Sequence, residues 1–311
     1  MIQFEILRQD SGKKLHRYVR QTLPGLPLSG IYKMIRVGRI KINGKKGKND
    51  TVLMAGDQLT IYIAEEEYSQ LAKTKPKFQG VPGDLDIVYE DEQLLVVNKP
   101  VGLLTHPDET EHKDTLINRA LAYLYRQGEI SDGRSFLPAT VNRLDRNTSG
   151  IVLIGKDSET IRELAKNVRE HLVHKQYLAI VWGKLFGEGD IDDPLTRDHM
   201  QNITRIDRME KESAKSALTH YRALGTAAGF TLVQIDLISG RTHQIRAHMK
   251  ALGHPLLGDV KYGGKTAFEV EHHLLHAHLV ELPDGSRFVA PPSPVFTSVL
   301  QSTGLRRYMP S

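Results

Sequence analysis

Asp145 stands between two guanidiniums in the run Asn142-Arg143-Leu144-Asp145-Arg146-Asn147-Thr148-Ser149-Gly150. A carboxylate held by arginine stays ionised well below neutral pH, which suits a nucleophile or an electrostatic stabiliser better than a proton donor. An isolated Arg-Leu-Asp-Arg is usually a solvated surface ion pair of small energetic worth. The next residues reverse that expectation. Asn147-Thr148-Ser149-Gly150 signals a turn and Ile151-Val152-Leu153-Ile154 an apolar strand, so Asp145 is expected in a loop at the mouth of a buried strand. The chain has no cysteine, which excludes thiol nucleophiles, zinc-thiolate sites and disulfides and fits a reducing compartment.

Four ordered segments resemble a known family. Arg143-Leu144-Asp145-Arg146 with Thr148-Ser149-Gly150 is similar to the active-site motif of the RluA-type RNA pseudouridine synthases. Tyr89-Glu90-Asp91 through Val96-Val97-Asn98-Lys99-Pro100-Val101-Gly102 and His106-Pro107 resembles the opening motif, and Lys175-Gln176-Tyr177-Leu178-Ala179 the segment with the active-site Tyr. Gly240-Arg241-Thr242-His243-Gln244-Ile245-Arg246-Ala247-His248 through Gly253-His254-Pro255-Leu256-Leu257-Gly258-Asp259 resembles the third motif, so the likeness runs from about Asp84 to about Leu282. It implies Asp145 as the attacking carboxylate, Tyr177 against the base, and Arg241 as the arginine paired with Asp145, with Arg246 the second choice. Arg143 resembles the arginine that fills the space left by a flipped nucleotide. Asn142 and Asn147 depart from the pattern, since many members have His and Asp there.

The chemistry is consistent with these residue types. Turning uridine into pseudouridine breaks the N1–C1′ bond and rejoins the base through C5, with no net redox change, so no cofactor is expected. A carboxylate near C1′ could trap or stabilise an oxocarbenium-like centre; addition to the base or removal of a C2′ proton is equally open to Asp145. Tyr177 offers an aromatic face for the base and a phenol to move a proton, although a strand Tyr is ordinarily packing. A guanidinium beside Asp145 would fix its rotamer and keep it charged. Flipping a nucleotide costs a few kcal/mol, which contacts from Arg143 would help offset.

The elements that must position these groups divide in two. At 311 residues the chain exceeds one ordinary core. Residues 1–63 hold 12 Lys/Arg and 4 Asp/Glu, a net of +8 against +5 for the whole chain, so the remainder carries −3. That asymmetry suggests a polyanion-binding module on a catalytic body, as opposed to a merely solvated basic face. Leu15, Tyr18 and Val19, then Ile31, Met34 and Ile35, follow i, i+3, i+4 spacing and predict two short helices, the second with Ser29 as N-cap. Lys33, Arg36 and Arg39, then Lys41 and Lys45 around an Asn43-Gly44 hairpin, are the expected RNA contacts. This module resembles the alpha-L RNA-binding domain of ribosomal proteins, which implies shape-based binding to structured RNA.

Residues 64–83 mix charge, Pro and Gly and are expected to form a linker that lets the two parts reorient. From 84 to 311, short strands at 87–89, 94–97, 151–154, 177–182 and 230–238 interleave irregularly with helices at 115–126, 160–171 and 242–252. That predicts an α+β domain on a mixed, mainly antiparallel sheet with flanking helices, beside the small N-terminal α/β domain. His243, His248, His272, His273, His276 and His278 tempt a metal reading, but no carboxylate or thiolate sits at ligand spacing and His276-Ala277-His278-Leu279 reads as strand. No metal is expected, and His243 and His248 are expected to orient the third-motif arginines. With no signal peptide or membrane span, a cytoplasmic monomer acting on structured RNA is expected, ribosomal RNA of the large subunit ahead of transfer RNA. A non-catalytic RNA-binding or assembly factor on the same fold is the alternative. A nucleoside hydrolase is a third reading that lacks a second placed acid.

Overall fold

In the computed structural model, which describes residues 1–72, 78, 80–130, 136–198, 200–209 and 214–310, the chain opens with strand β1 (Ile2–Glu5). Helix α1 (Leu15–Thr22) buries Leu15, Tyr18, Val19 and Thr22, the i, i+3, i+4, i+7 face of an amphipathic helix. Helix α2 (Leu28–Arg36) buries Ile31 and Ile35. It starts one residue before the expected Ser29 cap, because Pro27 takes the cap position with φ −64° and has no N–H to satisfy. Strands β2 (Ile40–Ile42) and β3 (Lys45–Lys46) turn at Asn43 and Gly44, both with the positive φ that a two-residue hairpin requires (49° and 77°). Strand β4 (Gln58–Ile61) lies between β1 and β2 and completes a four-stranded sheet, β1-β4-β2-β3.

The expected linker is partly helical. Residues Glu65–Ala72 form α3, with three glutamates in its first turn where the helix dipole favours anions, and Tyr68 and Leu71 pack on the N-terminal core. Lys73-Thr74-Lys75-Pro76-Lys77 and Gln79 of that segment lie outside the described residues. The N-terminal module meets the larger body through polar surface contacts. Arg8 Nε is 3.2 Å from Glu159, Arg162 donates to the Ser11 carbonyl at 3.1 Å, and the Lys13 ammonium lies 4.9 Å from the Phe136 ring centre.

The body contains β5 (Ile87–Glu90), β6 (Leu94–Lys99), α4 (Leu116–Arg126), β7 (Ala139–Thr140), β8 (Ser149–Gly155), α5 (Ser158–Arg169) and β9 (His174–Trp182). There follow β10 (Glu188–Asp192), β11 (Leu195–Asp198), β12 (Ile203–Ile206), β13 (Leu218–Ala227), β14 (Phe230–Leu237), α6 (Gln244–Ala251), β15 (Leu275–Glu281), β16 (Arg287–Val289) and α7 (Pro294–Thr303). A 10-stranded sheet runs β10-β13-β14-β9-β15-β8-β6-β5, with β16 on β15 and β7 on β8. Among the described residues the strands of this sheet pair antiparallel except β15 with β8. The fold is therefore the expected α+β arrangement on a mainly antiparallel sheet.

Both faces of the central strands are buried, which explains their unbroken apolar runs. Along β8, Val152 and Ile154 enter the core shared with α4 and α6, while Ile151 and Leu153 join Leu164 of α5 on the other face. Along β9, Tyr177, Ala179 and Val181 share the first face, and Leu178 and Ile180 pack with Phe296, Val299 and Leu300 of α7. Period-two alternation thus delivers Tyr177 to the same side as the end of β8.

Candidate active site

Asp145 lies in the loop between β7 and β8, and that loop is pinned by its neighbours. The Leu144 N–H donates to Thr105 Oγ1 at 3.2 Å, and the same hydroxyl donates to the Leu144 carbonyl at 2.8 Å. The Thr148 N–H closes a turn on the Asp145 carbonyl at 3.1 Å. Lys99, fully buried, points its ammonium at the carbonyls of Pro100, Leu103 and Arg146 (2.9, 2.8 and 3.0 Å), one acceptor for each N–H. Burial lowers its pKa to about 7, opposed by the Asp145 anion.

Three side-chain hydrogen bonds clip the end of the loop to the segment entering β15. Asn147 reaches His272 (3.2 Å), Thr148 His273 (2.9 Å) and Ser149 Nδ1 of His276 (2.9 Å), whose Nε2 donates to the Ala290 carbonyl. Gly150, at φ 113°, pairs with Ala277 where β8 and β15 run parallel, and a Cβ there would overlap the Ala277 backbone. Asn142 continues the edge of β8, accepting from the Leu153 N–H (2.8 Å) and donating to the Ile151 carbonyl (3.1 Å). That is a backbone-bonding role, away from the Asp145 carboxylate.

The carboxylate is faced by α6 and the residue before it. His243 Nε2 is 3.6 Å and Arg246 Nη1 3.8 Å from Asp145 Oδ2, both beyond hydrogen-bond length, and the guanidinium is close enough for electrostatic attraction in a half-buried site. Arg246 is fixed by a bidentate fork on the buried Asp259, Nε to Oδ2 and Nη2 to Oδ1, both 2.7 Å. The expected partner, Arg241, is not there. It stands in the loop before α6, with its Nε on the Ser216 carbonyl (3.1 Å) and its N–H on Gln244 Oε1 (3.0 Å), and its side chain is at the cleft rim. The helix begins only at Gln244, after a left-handed His243 (φ 56°), so the buried face of α6 carries Arg246 inward and leaves Arg241 outside it.

Tyr177 is buried on β9 between Ile235 of β14 and Ala277 of β15, and it lines the same cleft as Asp145. Burial first, then the Asp145 anion, push its phenol well above the usual range. The phenol therefore keeps its proton at neutral pH and acts as a neutral ring and donor. Burial depresses His243 to about 4 against the pull of Asp145, so this imidazole is neutral as well.

The cleft holds about 930 Å³ and its lining includes Arg143, Arg146, Arg197 and Lys261 beside Asp145 and Tyr177, with the carboxylates Asp108, Glu109 and Glu271 among them. The cations suit a phosphate backbone. Arg143 is exposed there, with no carboxylate partner among the described residues. Arg197 of β11, which the sequence did not single out, reaches Thr242 Oγ1 (3.2 Å) and Asn202 Oδ1 (2.8 Å) and ties the β11–β12 hairpin to the third motif. The histidine expectation needs correction too: among the described residues neither His243 nor His248 hydrogen-bonds an arginine. His243 bonds Tyr262, and His248 bonds Thr219 Oγ1 (2.9 Å) and the Asp193 carbonyl (3.2 Å).

In the N-terminal module Lys33, Arg36, Arg39 and Lys45 are exposed, and Lys41 is half-buried with its ammonium 5.2 Å from the Tyr62 ring centre. No carboxylate pairs with any of the five among the described residues, which leaves them available to an anion. Within the same residues, no group of three or more His, Asp or Glu is arranged to hold a metal ion, and no helix is long and apolar enough to cross a membrane.

Residues 93–251 match the family described as RNA pseudouridylate synthase. The chain is 32% identical to an uncharacterized RNA pseudouridine synthase of Bacillus subtilis (strain 168), over 86% of this chain and 85% of that relative. It is 32% identical to ribosomal large subunit pseudouridine synthase C of Vibrio cholerae, over 89% and 87% of the two chains. Among solved structures, the human RNA Pseudouridylate Synthase Domain Containing 4 shares the fold, with a TM-score of 0.57 at 22% identity, over 69% of this chain and 91% of that one.

Proposed function

Because the chain belongs to the RNA pseudouridylate synthase family and therefore isomerises uridine to pseudouridine in RNA, we propose that Asp145 is the carboxylate that reacts. The observation that carries this reading is its place: a half-buried carboxylate in an open cleft, facing Arg246 and His243 and sharing the lining with a protonated Tyr177. Arg246 faces Asp145 with its positive charge and orients it, the role first expected of Arg241. Tyr177 supports the base through its ring face and a phenolic proton. Arg143, Arg146 and Arg241 at the rim bind phosphates and fill the space that the flipped nucleotide leaves.

The substrate proposed is structured RNA, with large-subunit ribosomal RNA first. Lys33, Arg36, Arg39, Lys41 and Lys45, which meet no carboxylate among the described residues, support a second, shape-reading contact in the N-terminal module, and relatives named for the ribosomal large subunit support the choice. The residue range proposed for that module is 1–63 extended by α3, with the catalytic domain from 84 to 311. Action as a monomer in the cytoplasm completes the proposal.

The test is Asp145→Asn, which keeps shape and removes the anion. Tritium release from C5-labelled uridine in RNA should vanish while RNA affinity stays within about tenfold of the parent. Near-normal release by the folded variant would remove Asp145 from this role. Mapping pseudouridines by carbodiimide-dependent reverse-transcription stops, with and without the gene, identifies the RNA.

A further inference from the structure

Tyr262 touches both groups that face Asp145 without facing it. It is fully buried just beyond Asp259, and its hydroxyl accepts the Thr204 N–H of β12 at 2.8 Å. A second hydrogen bond joins the hydroxyl to Nδ1 of His243, 3.0 Å away, and with the Thr204 N–H already on its oxygen the hydroxyl is placed to donate its proton there. An Nδ1 that accepts is unprotonated, so the neutral imidazole carries its proton on Nε2, the nitrogen 3.6 Å from Asp145 Oδ2. The other tautomer would aim a lone pair at the carboxylate. The two rings meet edge to face, centroids 5.6 Å apart at 85°, which fixes the imidazole plane as well.

The Tyr262 ring also lies against the Arg246 guanidinium, its centre 4.6 Å from Cζ, on the group that Asp259 grips from its other edge. Nη1 of Arg246 is directed at Oδ2, the oxygen His243 also faces. Both groups thus approach the carboxylate from the side of Oδ2. His243 adopts a left-handed backbone (φ 56°), unusual for a residue with a side chain, which its packed neighbours must hold.

We propose that Tyr262 is a positioning residue for the isomerisation: through the tautomer of His243 and the placement of Arg246 it turns two N–H donors towards the Oδ2 side of Asp145 and so sets the orientation of the carboxylate. This rests on the reading of Asp145 as the reacting carboxylate. Burial keeps His243 neutral, so its tautomer, and not its charge, is the property under control. The β11–β12 hairpin enters the same arrangement, because the Thr204 N–H occupies a hydroxyl lone pair and so favours donation of the proton to His243.

Tyr262→Phe keeps the ring and deletes the hydroxyl. It also strips an acceptor from the Thr204 N–H, so a lower rate alone does not distinguish positioning from loosened packing. A double-mutant cycle with His243→Gln does, because a glutamine amide has a permanent N–H donor and no tautomer to set. Tyr262→Phe alone should lower the single-turnover rate about tenfold, the weight of one hydrogen bond, with RNA affinity within about twofold. In the His243→Gln background the same change should cost less than about twofold. Equal losses in both backgrounds overturn the proposal.

The second measurement needs no variant to fold. Long-range proton–nitrogen correlation on the whole protein labelled with 15N-histidine should show His243 protonated on Nε2, and protonation on Nδ1 overturns the proposal. Asp145→Asn separates this proposal from the reading beneath it. If that variant still isomerises uridine, the reading of Asp145 fails. The His243 tautomer should persist in it, because Tyr262 sets it, and its loss there would instead refute Tyr262 as the controlling group.

Discussion

Arg246→Ala removes the guanidinium opposite Asp145 and also leaves the buried Asp259 without its partner, so it has two separable costs. Unit charges 3.8 Å apart attract by about 4 kcal/mol at an effective dielectric near 20, and by about 1 kcal/mol in water. Asp145 is 31% exposed, which places the real value between these limits. A loss of that size in the transition state slows isomerisation by a factor between about five and about a thousand. Breaking a buried pair by deleting one partner costs a further 3–5 kcal/mol of stability, at about 2–4 °C in Tm for each kcal/mol. Adding Asp259→Asn in the same chain removes the stranded charge. Thermal melting followed by circular dichroism should therefore show a large drop for Arg246→Ala and substantial recovery in the double variant. Tritium release should stay low in both. Arg241→Ala, lost from the cleft rim, should change the rate by less than about tenfold and act mainly on KM. A parental rate in the double variant, or an equal rate loss from Arg241→Ala, would refute the assignment of Arg246 as the partner of Asp145.

Gly150→Ala should prevent soluble folding or cost more than about 4 kcal/mol, because φ 113° and the Ala277 backbone leave no room for a methyl; an unchanged denaturation midpoint would contradict the close β8–β15 approach. Asn142→His should be tolerated, since an imidazole also supplies one donor and one acceptor to β8, whereas Asn142→Leu should lose about 1–3 kcal/mol by stranding the Leu153 N–H; equal stability in the two variants argues against the backbone role. Replacing Lys33, Arg36 and Arg39 together by Ala should weaken RNA binding and shrink the slope of log affinity against log salt by about 2–3; an unchanged slope removes the module from phosphate contact. Burial lowers His243 and His276 to about 4 and His273 to about 3, below the unfolded value near 6.5. Between those limits the unfolded chain binds more protons. Stability should accordingly be greatest above pH 6.5 and fall as pH drops from 6.5 towards 4, by at most about 1.4 kcal/mol per unit per histidine. Urea midpoints that do not change across that window would show that these imidazoles are not held neutral.

The loop-then-strand setting of Asp145, the burial of β8 and β9, both N-terminal helices and the Asn43-Gly44 turn were legible in the sequence, because each depends on periodicity or turn chemistry within about ten residues. Tyr177 was legible as a site residue only through its motif, and its place in the cleft follows from the alternation along β9. Helix α3 was obscured by a run of glutamates, since its two apolar anchors act through the N-terminal core. The choice between Arg241 and Arg246 was not decidable from the chain. Both stand in one motif with similar local surroundings, and what separates them is the register of α6 together with Asp259, thirteen residues onward. Tyr262 was silent for the same reason: its meaning lies in His243, Arg246 and Thr204, which reach it from a turn, a helix and a hairpin. Local sequence sets which residue types are available and which way a strand or helix faces. Only packing of distant segments decides which donor meets which oxygen, because burying an arginine or an imidazole is tolerable only where another part of the chain supplies its partner.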